Sequence, residues 1–248
     1  MGNARFLLVA LLSFVLIKYT AVGATHAHKK KPADNTPPEV KIANPKNNSF
    51  FNWDTQFGYE ITVADKEDGD SKYDEINTKE VLLEVKYVAD EKALQAALAE
   101  SNVPDATGLA LIRTSNCFNC HNFNSKLIGP SFYDICKRYP ATADNIALLA
   151  KRIREGTAGV WGKVTMPTHP EFTAQQAQGI VQWIFDNAAE PNTNYYVGTE
   201  GAMRIKQPVD FKPNAAFVLT ASYVDHGLKD MPNSARLKGQ DVVVVKGK

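Results

Sequence analysis

Apolar and polar positions fall into distinct regimes along the chain. Residues 6–17 ("FLLVALLSFVLI") are an unbroken apolar run behind a leader with one basic residue, Arg5. From Glu39 to Asp90 come short runs rich in Val, Ile, Phe and Tyr: "EVKIANP", "SFFNWD", "QFGYEITVAD" and "KEVLLEVKYVAD". Asn, Pro, Gly and Asp break them, and short strands with turn residues between them predict an all-β sandwich of immunoglobulin-like (Ig-like) type. From Glu91 to Glu190 the period becomes helical. "EKALQAALAE" predicts one short helix, and "DATGLALIRTSN" a second, with Asp105 as its cap. "SFYDICKRY" predicts a helix capped by Ser131, and "ADNIALLAKRIREG" one that puts Ile146, Leu149, Ala150 and Ile153 on one face and stops at Gly156. "TAQQAQGIVQWIFDNAA" opens with Thr173 and Gln176 in capping-box spacing and aligns Ala177, Ile180, Val181 and Ile184. Strand patterns return over 195–248, in "EGAMRIKQP", "AAFVLTASYVD" and "DVVVVKG". These last strands are too few to stand alone and are expected to pack on or near those of 39–90.

The fold class this predicts is α+β and multidomain, with an all-α segment between β-sandwich segments. The boundaries are a signal peptide over 1–24, a flexible leader over 25–38, an Ig-like β domain over 39–90, a helical domain over 91–190 and a C-terminal β segment over 195–248. The apolar run is too short to span a bilayer comfortably and precedes small residues at Val22 and Ala24, so it reads as a signal peptide cut after Ala24, with an uncleaved anchor as the alternative. The mature protein is then exported, periplasmic or in the cell envelope, and meets membranes only peripherally.

Net charge is +1, which leaves no nucleic-acid footprint. Residues 51–93 carry twelve acidic against five basic side chains, while 100–190 carry eight of each. The acidic β region therefore points to a basic partner or an envelope contact. The turn Asp65–Glu75 ("DKEDGDSKYDE") has the oxygen ligands calcium takes, but its glycine does not fall where an EF-hand loop requires it, and a solvated turn is the preferred reading. His26 and His28 in the leader read as an ordinary polar tail.

Chemistry concentrates in "CFNCH". The chain has three cysteines, and Cys117 and Cys120 lie one helical turn apart with His121 directly after. C-x-x-C-H is the attachment pattern of a c-type haem. Two thiols can add to two vinyl groups on one porphyrin edge while His121 meets the iron from one face. A zinc site would need two further ligands at suitable spacing, and a redox dithiol would sit in a βαβ pattern, neither of which is present. Cys136 reads as a small buried hydrophobe in its helix, with an intermolecular disulfide as the alternative. The second axial ligand must come from the loop "GTAGVWGKVTMPTHPEF", which offers Met166 and His169.

Gly108–Glu190 resembles a class I cytochrome c of the small bacterial type. Gly108 stands nine residues before Cys117, "IGP" holds Gly129 and Pro130, and "KRIREGTAGVWGKVTMP" matches the propionate and axial-ligand region of that family. The resemblance implies one covalently attached haem c, with Cys117 and Cys120 bonded to it and His121 and Met166 on its iron. It also implies that the Pro130 carbonyl accepts from His121, that Arg152 and Trp161 contact a propionate, that Pro167 stiffens the loop, and that Gly108 packs against an aromatic, here Trp183. Strands with "DKEDG", then this haem segment, then "LTASYVDHG" resemble the C-terminal region of some multidomain bacterial proteins in which a quinoprotein-like sugar dehydrogenase module comes first. No stretch of this sequence has the repeats of such a module. The function implied is electron carriage between redox proteins, a dehydrogenase donor and an oxidase or other acceptor. The alternatives are a haem protein with an open sixth site, acting as peroxidase or gas sensor, and a redox subunit of a larger envelope assembly.

Overall fold

The structure is a computed structural model that describes residues 34–248 apart from 101–103 and 232. The expected signal peptide, His26, His28 and most of the expected leader lie outside the described residues. No helix among the described residues is long and apolar enough to cross a membrane.

Nine strands build two sheets. β1 (Glu39–Asn44) and β7 (Glu200–Arg204) pair antiparallel with β3 (Gln56–Asp65), which also meets the two-residue β4 (Gly69–Asp70). The second sheet runs β2 (Ser49–Phe51), β9 (Lys238–Gly247), β8 (Ala216–Val224), β5 (Leu82–Val88), β6 (Thr193–Val197), antiparallel except where β2 meets β9. Strands from 39–90 and from 193–247 are thus interleaved in both sheets, and the two segments make one β unit. Its core follows from period-two alternation: Tyr59, Ile61 and Val63 of β3 face Leu83 and Val85 of β5 and Phe217, Leu219 and Ala221 of β8 in one buried cluster.

β8 is buried on both faces, which its near-continuous apolar sequence requires. Its odd-numbered residues enter the inter-sheet core, while Ala216 and Val218 meet Ala97 of α1 (Glu91–Glu100) on the outside. The sequence reading groups α1 with the helical segment, but α1 instead covers the outer face of the five-stranded sheet, alongside Val88. The remaining helices are α2 (Thr107–Thr114), α3 (Phe132–Arg138), α4 (Ala143–Glu155) and α5 (Ala174–Asn187). Ser131 caps α3, and Thr173 with Gln176 forms the capping box of α5. Ile146, Leu149, Ala150 and Ile153 of α4 pack with Ala177, Ile180, Val181 and Ile184 of α5. Leu82 and Tyr195 of the sheet join this second core, so the helical segment also rests on the β unit.

The Asp65–Glu75 turn is exposed at Lys66 and over residues 72–75, as a solvated turn would be, and is tied down at Asp65 and Asp68. Asp65 Oδ1 accepts from the backbone N–H groups of Glu67 (2.9 Å) and Asp68 (2.8 Å), and Asp68 Oδ2 accepts from Tyr223 Oη at 2.8 Å. Among the described residues no group of three or more His, Cys, Asp or Glu is placed to hold a metal ion.

Asp105 does not cap α2. Ala106 takes the cap position without a side-chain bond, because the Asp105 carboxylate is held by Arg113 (3.0 Å) and Lys238 (2.8 Å). Arg113 sits near the end of α2 and is 6% exposed. Its guanidinium also donates to Ser222 Oγ and Ser222 O, both at 2.9 Å, and to Glu80 O at 3.2 Å. One buried guanidinium therefore joins α2 to β8. Removing one partner of a buried pair leaves an uncompensated charge, which costs about 3–5 kcal/mol. Asp105→Ala should lose stability on that scale in denaturant unfolding, and Asp105→Ala with Arg113→Met should recover part of it. A loss below about 1 kcal/mol for Asp105→Ala would show that the pair does not hold the junction.

Candidate functional site: a haem-sized cavity

α2 ends at Thr114, and Asn116 adopts a left-handed conformation with φ 61°, which turns the chain into a short 3-10 turn over Cys117–Asn119. The N–H groups of Cys120 (3.1 Å) and His121 (2.9 Å) both donate to Cys117 O. This folds C-x-x-C-H into one compact turn, and Cys117, Cys120 and His121 all line a single cavity of about 870 Å³. Ser115 Oγ lies 3.2 Å from Cys117 Sγ. Burial pushes the Cys117 thiol pKa up, with the Ser115 contact acting the other way.

His121 is positioned from two sides. Its Nδ1 lies 2.7 Å from Pro130 O, so the N–H donates to that carbonyl and Nε2 is left as the lone-pair nitrogen. Burial lowers its pKa, Pro130 opposes this, and His169 lowers it further. The imidazole is therefore favoured in its neutral, metal-ligating form. The ring stacks on Phe132 at 5.5 Å and 14°. Gly129 leaves room for it: a Cβ there would come within 2.6 Å of His121 Cε1.

Met166 and His169 line the same cavity from the loop after α4. Gly156 ends α4 with φ 75°, and Thr157 and Met166 then exchange backbone hydrogen bonds of 3.2 and 2.8 Å, so the methionine stands in a paired and ordered stretch. The Gly156 conformation favours glycine, and a Cβ there would meet Met166 O at 2.8 Å. His169 Nδ1 is engaged by Glu171 at 2.8 Å, and that contact holds the Glu171 carboxyl below its usual range.

Pro130, Arg152 and Trp161 also line the cavity. Arg152 donates to Tyr139 Oη at 2.8 Å. The Arg138 guanidinium lies 4.5 Å from the Trp161 ring centroid and donates to Val160 O at 2.8 Å. Sequence reasoning missed Arg138 and Tyr139, although a cation and an aromatic at the C-terminal end of α3 are a usable signal. It also missed Arg236, which lines the cavity from the second β region. Gly108 allows α2 to cross α5, since a Cβ would come within 2.5 Å of both Gly179 O and Trp183 Cβ. Cys136 is half-buried, with Sγ donating to Ile184 O at 3.4 Å.

The residues present fit a c-type haem. The cavity is of cofactor size, two sulfurs stand on one turn, and an oriented imidazole offers a free nitrogen beside them.

The family model for cytochrome c matches residues 106–187. Cytochrome c-551 of Pseudomonas denitrificans is 33% identical over 79 residues, 32% of this chain and 95% of that protein. Cytochrome c-551 of Azotobacter vinelandii is 37% identical over 78 residues, 32% of this chain and 94% of that protein. The crystal structure of Nitrosomonas europaea cytochrome c552 is matched at 32% identity over 31% of this chain and 95% of that one, with a TM-score of 0.30. With relatives this similar matched along almost their whole length, the chain belongs to the cytochrome c family and carries that family's covalently attached haem c.

Proposed function

We propose that the protein is an exported monohaem electron carrier in which Cys117 and Cys120 would hold the porphyrin and His121 and Met166 would ligate its iron. The observation that carries this reading is the placement of His121 and Met166 on one cavity, the imidazole oriented by Pro130 and the methionine by its pairing with Thr157. The haem supplies a one-electron ferric/ferrous couple.

The chain's residues set its terms. The Pro130 carbonyl fixes the His121 tautomer and raises its basicity. The Met166 thioether is a soft ligand that favours the ferrous state and raises the potential relative to two nitrogens. Arg152 and Trp161 are placed to meet the propionates, with Tyr139 and Arg138 supporting them. Filling both axial positions leaves no site for substrate, which suits a carrier and not a peroxidase or gas sensor. The partners are redox proteins, a donor dehydrogenase and an acceptor, which dock through small transient interfaces. The β unit, two antiparallel-dominated sheets over one core, serves as an Ig-like scaffold, and export follows from the apolar run at residues 6–17.

Absorbance and redox titration test the ligand set. The ferric protein should show a sulfur-to-iron charge-transfer band. Met166→Ala should keep its haem, lose that band, lower its potential and bind small ligands more readily, with His169 available as a substitute ligand. Met203→Ala, in the β core at 1% exposure, and Met231→Ala, 43% exposed, should keep both band and potential. An unchanged Met166→Ala protein beside an altered control would show that the wrong methionine was chosen.

The purified holoprotein should also lack sugar-oxidising and peroxidase turnover of its own. Steady turnover of either kind without added enzyme would refute the carrier reading.

A further inference from the structure

We infer that the β unit contributes a charge to the haem site: Arg236 lines the cavity and biases the bound haem toward its ferrous state. This rests on the assignment of the cavity as the haem site. Arg236 lies outside residues 106–187, the segment matched by the cytochrome c family model. It belongs to the segment between β8 and β9, yet it borders the same cavity as Ser115, Asn116 and Cys117.

The backbone on both sides of Arg236 is fixed. Asp225, 0% exposed, accepts through Oδ1 from the N–H groups of Gly227 (3.0 Å) and Leu237 (2.9 Å). Its own N–H donates to Leu237 O at 3.0 Å. Asn35 Nδ2 donates both to Asp225 Oδ2 and to Ala235 O, each at 2.9 Å. Two residues further on, Lys238 is ion-paired at 2.8 Å to Asp105, which holds the buried Arg113 of α2. The neighbours of Arg236 are thus tied to the β unit on one side and to the helix leading into Cys117 on the other. The fold sets where the Arg236 side chain starts, at the cavity wall.

The charge has no other evident employment. The charged Arg, Lys, Asp and Glu side chains lining the cavity are Arg152, Glu171 and Arg236. Arg152 is bonded to Tyr139 and Glu171 to His169. Among the described residues no hydrogen bond or ion pair holds the Arg236 guanidinium. Reduction brings in one electron from the donor protein and removes one unit of positive charge from the cavity. A cation at the cavity wall disfavours the state with the larger positive charge and therefore favours the ferrous form. Because Arg236 is exposed, solvent and salt weaken the effect.

The test is redox titration of the intact holoprotein at low and high ionic strength. At low salt, Arg236→Gln should lower the ferrous-to-ferric equilibrium constant about threefold, and Arg236→Glu about tenfold. Arg236→Lys should stay near the parent. Lys229→Gln removes a cation from the same segment that does not line the cavity, and should change nothing. In about 1 M salt the differences should collapse, since the screening length falls to about 3 Å. A potential unchanged in Arg236→Glu, a shift that persists in high salt, a failure of Arg236→Lys to restore it, or an equal shift in Lys229→Gln would each overturn the inference. Haem attachment and the sulfur-to-iron band are recorded for every variant. Their absence from the parent sinks the functional reading, whereas their presence with a potential indifferent to Arg236 sinks this inference alone.

Discussion

The Arg113 guanidinium enters the junction between α2 and β8 with its charge matched by Asp105 and its two Nη groups turned onto Asp105, Ser222 and the Glu80 carbonyl, while Nε is buried without a partner among the described residues. A buried cation is costly unless it is paired and hydrogen-bonded, and here the partners come from both parts of the molecule. Burial pulls its pKa down while Asp105 acts against that shift. The orientation of α2 against the sheet is therefore specified by hydrogen-bond geometry as well as by apolar contact, which is non-directional. Since the C-x-x-C-H turn starts three residues after Thr114, a tilt of α2 would move both cysteine sulfurs and His121 together.

The apolar floor beneath the helices works with that junction. Tyr195 of β6 stacks on Phe123 at 4.7 Å and meets Trp183 edge-on at 5.7 Å. Phe123 also packs edge-on to Phe132 at 5.4 Å, and Phe132 carries the His121 ring. An unbroken run of aromatic contacts thus leads from the sheet to the His121 imidazole. Aromatic pairs fix geometry more tightly than aliphatic contacts of equal area, because edge and face differ in charge.

Much of this was legible in the sequence, and the failures share a cause. The contact of Pro130 with His121 was implied by the family resemblance, whereas the stripes of α4 and α5 and the caps at Ser131 and Thr173 depend on residues close in sequence or on one helix face. Period and spacing record such relations directly. Asp105 was misread as a cap because its position fits one, while its two cationic partners lie eight residues away and beyond the helical segment altogether. α1 was misplaced because its apolar face does not say which surface it covers. In the acidic turn, no local pattern announces that Tyr223 will reach Asp68 across 155 residues. Arg236 was invisible for the same reason. Each omission involves a partner or surface distant in sequence, and the period of one segment carries no information about those.

The connectivity explains why a helical haem domain can be carried in a β unit at all. β5 and β6 are antiparallel neighbours, with Lys86 opposite Thr193, and the Tyr87 N–H donates to Asn192 O at 2.8 Å just beyond that pair. The chain leaves the sheet at Val88 and returns beside the same point, so the helical segment occupies the place of a hairpin loop. A domain whose two ends lie together can be inserted without disturbing the host ladder. A flexible pair of linkers would let such an insert swing. Here the outer sheet face is apolar and needs cover, and α1 shields one part of it while the α2–α5 core covers another through Leu82 and Tyr195. The insert is thereby held at its two ends, at the apolar floor and at Arg113. Held in this way, the insert keeps one placement on the β unit, and that placement brings Arg236, from the segment between β8 and β9, to the wall of the cavity.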